Sequence, residues 1–149
     1  MPCHCREYSE PLRSFADLEI RCGSAARMAA TLRPLASNNT TWMSVLRCEI
    51  CGLVWASEYP FSEQHGGGPI CYYHLDHRDP MAWLASETSL TRQFRQAHED
   101  ADFASQLGAE RPDHRCRHER CDRGAISHSA LCRRHHFESI RGRSYPFED

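Results

Sequence analysis

The chain has 149 residues, with eighteen arginines and no lysine against twenty acids, nine cysteines, and a net charge of −2 at neutral pH. That length suits one ordinary domain, or a small domain with a metal-stapled appendix, and excludes two full hydrophobic cores. No apolar run approaches the ~20 residues of a membrane helix. The odd cysteine count, behind an opening Met1-Pro2-Cys3-His4-Cys5 without a charged and apolar leader, argues against a secreted disulfide scaffold. The expectation is a cytoplasmic protein whose reduced thiols are free to bind metal.

Ser9 to Ala36 reads as mainly helical: SEPLRSFADLEI, then SAARMAATLR, with Gly23 separating the two, Ser24 as the second N-cap and Pro34 as the stop. Ser37-Asn38-Asn39-Thr40-Thr41 is a loop by composition. Trp42 to Arg47 and Leu53 to Tyr59 are β-rich runs on either side of Cys48-x2-Cys51-Gly52. This is the strand, metal turn, strand pattern of a zinc-ribbon knuckle, with Gly52 supplying the backbone freedom of the turn. A Gly-rich corner, His65-Gly66-Gly67-Gly68-Pro69, leads into a further strand from Ile70 to Leu75. Asp79-Pro80 then opens a helix as N-cap and first helical residue. Trp83, Leu90, Phe94, Ala97, Ala101 and Ala104 form its apolar stripe, with a break near Ser86 to Ser89. Gly108 to Pro112 reads as a linker, so the expected organisation is an α+β domain over 1–107 and a linker with a finger over 108–149.

The finger carries the strongest chemical signal. Cys116-x4-Cys121-x10-Cys132-x2-His135 sets two close pairs of thiolate and imidazole ligands around a short loop, the spacing a tetrahedral zinc site closes. A second site is expected at Cys48 and Cys51, for which two pairs compete. Cys71 with His74 is favoured by proximity in sequence, but a strand points these two to opposite faces. Cys3 with Cys5, at i and i+2 on an extended chain, converge on one side. The preferred set is Cys3, Cys5, Cys48 and Cys51, which leaves Cys22 and Cys71 as buried thiols.

Charge is unevenly spread along the sequence. Residues 1–110 carry nine arginines against fourteen acids, a net of −5, and residues 111–143 carry nine against four, a net of +5. An acidic body suits a basic protein partner, and a basic finger suits phosphates. No recognition helix is legible in the finger, so nucleic-acid binding through Arg115, Arg117, Arg120, Arg123, Arg133 and Arg134 would be non-specific and salt-steep.

Cys3-x-Cys5, Arg47-Cys48-x2-Cys51-Gly52-x2-Trp55, Tyr59-Pro60 and His65-Gly66-Gly67-Gly68-Pro69 together resemble a group of small bacterial zinc-ribbon-like proteins associated with immunity in polymorphic toxin systems, over roughly residues 1–85. The segment ending in Leu131-Cys132-x2-His135 resembles the treble-clef-like fingers appended to many bacterial and phage proteins. These resemblances imply a binding module with structural zinc. Two catalytic echoes are weaker. His65-Gly66-Gly67-Gly68 resembles an esterase oxyanion loop, but no G-x-S-x-G elbow accompanies it. Asp76-His77 resembles the acid-histidine pair of HNH-type nucleases, but it is trailed by the helix start Arg78-Asp79-Pro80.

The sequence thus predicts an α+β protein: a small antiparallel zinc-ribbon-like sheet with packed helices, and a C-terminal zinc finger. It predicts two structural zinc ions and no catalytic residue. The expected function is non-enzymatic binding of a protein partner, such as a toxin, through an aromatic patch of Trp42, Trp55, Tyr59, Tyr72 and Tyr73. The alternatives are nucleic-acid binding by the finger and, behind it, an HNH-like nuclease.

Overall fold

A computed structural model of the chain describes residues 2–62, 67–76, 79–86 and 89–148. His65 and Gly66 of the Gly-rich corner, and His77 of the acid-histidine pair, lie outside these residues. The chain divides into two compact units, Met1–Arg95 and Gln96–Asp149. The architecture is α+β, and no helix among the described residues is long and apolar enough to cross a membrane.

In the first unit a short 3-10 turn, Cys5–Tyr8, precedes helix α1 (Phe15–Ala29). Four strands follow, β1 (Leu32–Asn38), β2 (Met43–Cys48), β3 (Val54–Glu58) and β4 (Cys71–His74). They pair in sequence order as an antiparallel meander. Ser14 caps α1 by accepting a hydrogen bond from the Asp17 N–H, as expected of a side-chain oxygen at this position. Two expectations fail here. Gly23 does not separate two helices but lies inside α1, where nothing comes within 4 Å of the Cβ position. Pro34 does not stop a helix but sits in β1, whose register against β2 shifts between Pro34 and Ala36. An edge strand tolerates a residue with no N–H to donate, and the bulge absorbs the misfit.

Both faces of the sheet are covered, so consecutive strand residues are buried together. Val45, Ala56 and Tyr73 stand in register on one face, in a cluster with Leu18 of α1 and with Trp83 and Leu84 of α2 (Pro80–Ala85). Leu46 and Trp55 stand in register on the other face, in a cluster with Ala25 and Met28 of α1, Cys5 and Tyr72. Asp79 caps α2 by accepting from the Met81 and Ala82 N–H groups, as the Asp-Pro start predicts.

Helix α3 (Leu90–Gln106) is separate from α2, and its start is held by a buried carboxylate of the sheet. Glu58, at the end of β3, accepts hydrogen bonds from the Leu90 and Thr91 N–H groups at 3.3 and 2.9 Å. It also accepts from the hydroxyls of Tyr73 and Ser89 at 2.9 Å each, and from that of Thr91. The carboxylate thus occupies the anion position that the free donors and dipole at a helix N-terminus favour.

The second unit begins within α3. It contains the hairpin of β5 (Glu110–Arg115) and β6 (Gly124–Ile126), followed by α4 (Arg133–Arg141). Residues 110–112, read as a linker, are therefore part of a strand. The helix α4, not legible beforehand, places Phe137 fully buried against Phe103 and Tyr145, with ring centroids 5.9 and 5.6 Å away. Gly124 is required by close approach, because a Cβ there would lie 2.2 Å from the Arg111 carbonyl oxygen.

The division also changes the charge picture. The acids at Glu99, Asp100, Asp102 and Glu110 belong to the second unit, where Asp100 receives Arg143 at 2.7 Å and Glu110 receives Arg123 at 2.9 Å. Each unit then carries nine arginines and ten acids, a net of −1 apiece, so the acidic body and basic finger of the linear sequence do not persist as properties of the folded units.

Candidate metal centres

The chain brings together two groups of potential metal ligands among its described residues: Cys3, Cys5, Cys48 and Cys51, and Cys116, Cys121, Cys132 and His135. Within each group all the ligand atoms lie within 4.8 Å of one another. These are the two sets preferred from the sequence.

In the first centre, β2 delivers Cys48 and the following turn delivers Cys51. The turn closes through Gly52 N–H to the Cys48 carbonyl at 2.9 Å, with Gly52 at φ +77°, a conformation costly for other residues. Cys3 and Cys5 converge through a turn rather than an extended segment, since the Cys5 N–H donates to the Cys3 sulfur at 3.4 Å as the 3-10 turn begins. The Cys3 sulfur lies 3.6 Å from that of Cys48 and 3.5 Å from that of Cys51. A tetrahedron with metal–sulfur bonds of about 2.3 Å has edges of about 3.8 Å, so a zinc-sized ion fits this spacing. The competing pair is not assembled. Cys71 faces the cluster of Val45 and Tyr73, and His74 packs its ring on Trp55, 5.5 Å away, in the opposite cluster.

In the second centre the turn after β5 supplies Cys116 and Cys121. Cys132, at the N-cap of α4, and His135, in its first turn, supply the other two ligands. The Nδ1 atom of His135 lies 3.5 Å from the Cys116 sulfur and 3.2 Å from that of Cys132, and the Cys121 and Cys132 sulfurs are 3.9 Å apart. A hairpin followed by a helix that opens on Cys132 thus supplies all four ligands.

Electrostatics give each centre one thiol ready to ionise. Burial works against the charge of Cys48, but the N–H groups of Cys51 and Ile50, the Thr31 hydroxyl and the Cys5 thiol outweigh it and bring Cys48 down to about 6. Burial and its thiol neighbours push Cys5 far up, and burial chiefly raises Cys51. In the finger, burial likewise opposes ionisation of Cys116, yet the N–H groups of Cys132 and His118 bring it below its usual value. Cys132 is pushed up to about 11, mainly by burial. His135 is depressed by burial and by His118, which favours the neutral imidazole that a metal requires.

Two residues beside the centres had no signal in the sequence. His118 stacks on the His135 ring with centroids 3.7 Å apart and an interplanar angle of 9°, which fixes the orientation of the ligand. Thr31, buried ahead of β1, reaches the Cys48 sulfur with its hydroxyl. No ligand spacing marks either of them.

The expected aromatic patch shrinks. Trp55, Tyr72 and Tyr73 are buried by the double-sided packing of the sheet, whereas Trp42 is 51% exposed. Trp42 stands edge-on to Tyr59, with centroids 6.0 Å apart at 86°, beside a depression of about 410 Å³ lined also by Ser37, Asn38, Asn39 and Ser44. The arginines of the finger divide similarly. Arg123 is bound to Glu110, and Arg133 donates to the Ala104 carbonyl at 2.8 Å. The exposed side chains of Arg115, Arg117 and Arg120 have no partner among the described residues. Comparison with protein-family models, curated proteins and solved structures finds no match to this chain.

Proposed function

We propose that the chain is a zinc-stabilised, non-enzymatic binding protein that docks a protein partner at the Trp42–Tyr59 depression, in the immunity role its first 85 residues resemble. Thiolate and imidazole ligands at these spacings favour zinc over hard cations, and closed four-ligand sets suit structural rather than catalytic ions. The observation that carries the docking site is Trp42. This bulky residue is half-exposed and held at φ +59°, a left-handed conformation that costs about 1–2 kcal/mol. Tyr59 braces its ring from the side, giving a rigid aromatic anchor ringed by hydroxyl and amide groups, the composition typical of binding hot spots.

The test is co-expression with the protein encoded beside this chain, followed by affinity purification and elemental analysis. The expected result is a complex and two zinc ions per chain. Trp42→Ala should weaken the complex about thirtyfold, the effect of a 2 kcal/mol hot spot, while leaving the zinc content unchanged. A complex indifferent to Trp42→Ala overturns the docking site, and a zinc content near zero overturns the whole reading.

A second reading rests on the free exposed arginines around the finger's knuckle. Arg115 and Arg120 line one depression with Asp122, Arg117 is exposed close to them in sequence, and exposed guanidinium groups suit phosphates. If the chain binds nucleic acid steeply with salt, and replacing these three by Gln abolishes that binding, the finger is the functional end.

A further inference from the structure

The polar groups that line the depression beside Trp42 fall into two sets. One set is already engaged. The hydroxyls of Ser37 and Ser44 are hydrogen-bonded to each other at 2.9 Å. The side-chain oxygen of Asn38 accepts from the Thr40 and Thr41 N–H groups at 3.0 and 3.4 Å, and its amide nitrogen donates to the Leu84 carbonyl at 3.3 Å. The other set is free: the side chains of Asn39, Trp42 and Tyr59 make no hydrogen bond among the described residues. They offer an amide, an indole N–H and a phenol hydroxyl, each able to donate. The two rings stand at 86° with centroids 6.0 Å apart, so they meet as a corner and not as a flat platform. Among the described residues that line the depression, none is charged.

We propose, building on the docking role of Trp42, that this depression takes a proline-rich segment of the partner protein in the polyproline II conformation. Such a segment has no internal hydrogen bonds, and each proline carries a carbonyl but no N–H, so it needs donors and offers none. The Asn39 amide, the Trp42 indole and the Tyr59 hydroxyl supply those donors. Pyrrolidine rings are apolar and stiff, and they seat against aromatic side chains in grooves of this kind. The segment is also uncharged, as the described lining is. Because its conformation is preformed, it loses little freedom on docking. Other occupants match less well. A β-strand would bring N–H groups that need acceptors of their own. A sugar, which also stacks on aromatic rings, needs acceptors as well as donors for its hydroxyls, and the described lining holds no carboxylate to accept them.

The experiment titrates the full-length, zinc-loaded protein into a fluorescein-labelled decaproline peptide, read by anisotropy, with a labelled Gly-Ser peptide of equal length as control and cellohexaose tested in parallel by tryptophan fluorescence. The expected result is saturable binding of decaproline alone. Trp42→Ala should weaken that binding about thirtyfold. Trp42→Phe, which keeps a ring but removes the N–H donor, should weaken it about fivefold, and Asn39→Ala about threefold. The proposal is overturned if decaproline does not bind, if the Gly-Ser peptide binds as well, if cellohexaose binds in its place, or if Trp42→Phe and Asn39→Ala both bind decaproline as tightly as the wild type. The wild-type comparison of the three probes needs no variant, so a substitution that fails to fold leaves the test intact. A partner complex that Trp42→Ala weakens but excess decaproline does not displace would keep the docking site and remove only its proline-rich occupant.

Discussion

The first centre adjoins a sheet buried on both faces, with Trp55, Met28, Leu18, Val45 and Met43 all essentially inaccessible to solvent, whereas the second sits in a unit whose fully buried large side chains, among the described residues, reduce to Phe137. Ligand chemistry and spacing are nearly the same in the two. What differs is the apolar burial available when no ion is present. A unit that buries much apolar surface keeps its fold on the hydrophobic effect and uses a metal to pin a terminus. A unit with one buried aromatic and short strands depends on the ion for its folding free energy. Similar ligand sets, four cysteines in one and three with a histidine in the other, can therefore carry unequal structural weight.

The sharpest way to break this comparison is Cys121→Ser. An ion of the finger type supplies about 10–16 kcal/mol of apparent binding energy. Its loss should unfold residues 110–141 while the sheet stays intact, read as lost amide-exchange protection confined to that segment together with one zinc ion fewer. Retained protection there would show that the packing of Phe103, Phe137 and Tyr145 suffices without the ion. The next largest effect belongs to the sheet unit. Glu58→Ala removes the acceptor of five hydrogen bonds, leaves the buried Thr91 N–H unpaired, and should cost about 3 kcal/mol in urea unfolding with zinc content unchanged.

A pH-dependent effect concerns the metal-free sheet unit, which should remain folded on its apolar core. Cys48 has an ordinary value of 9.0 and stands at about 6 in the fold, so its stabilising contribution is complete above pH 9 and is lost as pH falls through 6. Cys5 and Cys51 are raised, hence neutral in both folded and unfolded chains below pH 9, and contribute no slope in that window. With chelator and reductant present, the urea midpoint should decline from pH 9 to 6, and Cys48→Ala should flatten the decline. A midpoint that rises on acidification would contradict the geometry assigned to the knuckle.

How far the fold was legible follows from where each signal lives. Ligand spacing is local, so Cys116, Cys121, Cys132 and His135, and the Cys48–Cys51 turn, could be read directly, as could the Asp79 cap. The choice of Cys3 and Cys5 over Cys71 and His74 followed from strand alternation, although the turn that joins the first pair was not foreseen. Pro34 and Gly23 misled because each is a local breaker overruled by packing: the strand needed an edge position and the helix needed its buried Ser24 and Ala25. The aromatic patch misled for a related reason. A run such as Cys71-Tyr72-Tyr73 does not reveal that both faces of its sheet are covered. Charge summed along the chain misled because α3 carries its acids into the unit of the arginines they pair with.

Pro34 and the shift beside it have a consequence for assembly. Strand β1 ends the sheet on one side, and its outward edge would ordinarily present a ladder of free N–H and C=O groups on which a strand from another molecule could grow. An irregular step between Pro34 and Ala36 and the exposed charge of Arg33 interrupt that ladder. The rim is thereby a poor template for edge-to-edge aggregation. A protein that engages this side must recognise side chains instead of extending the sheet.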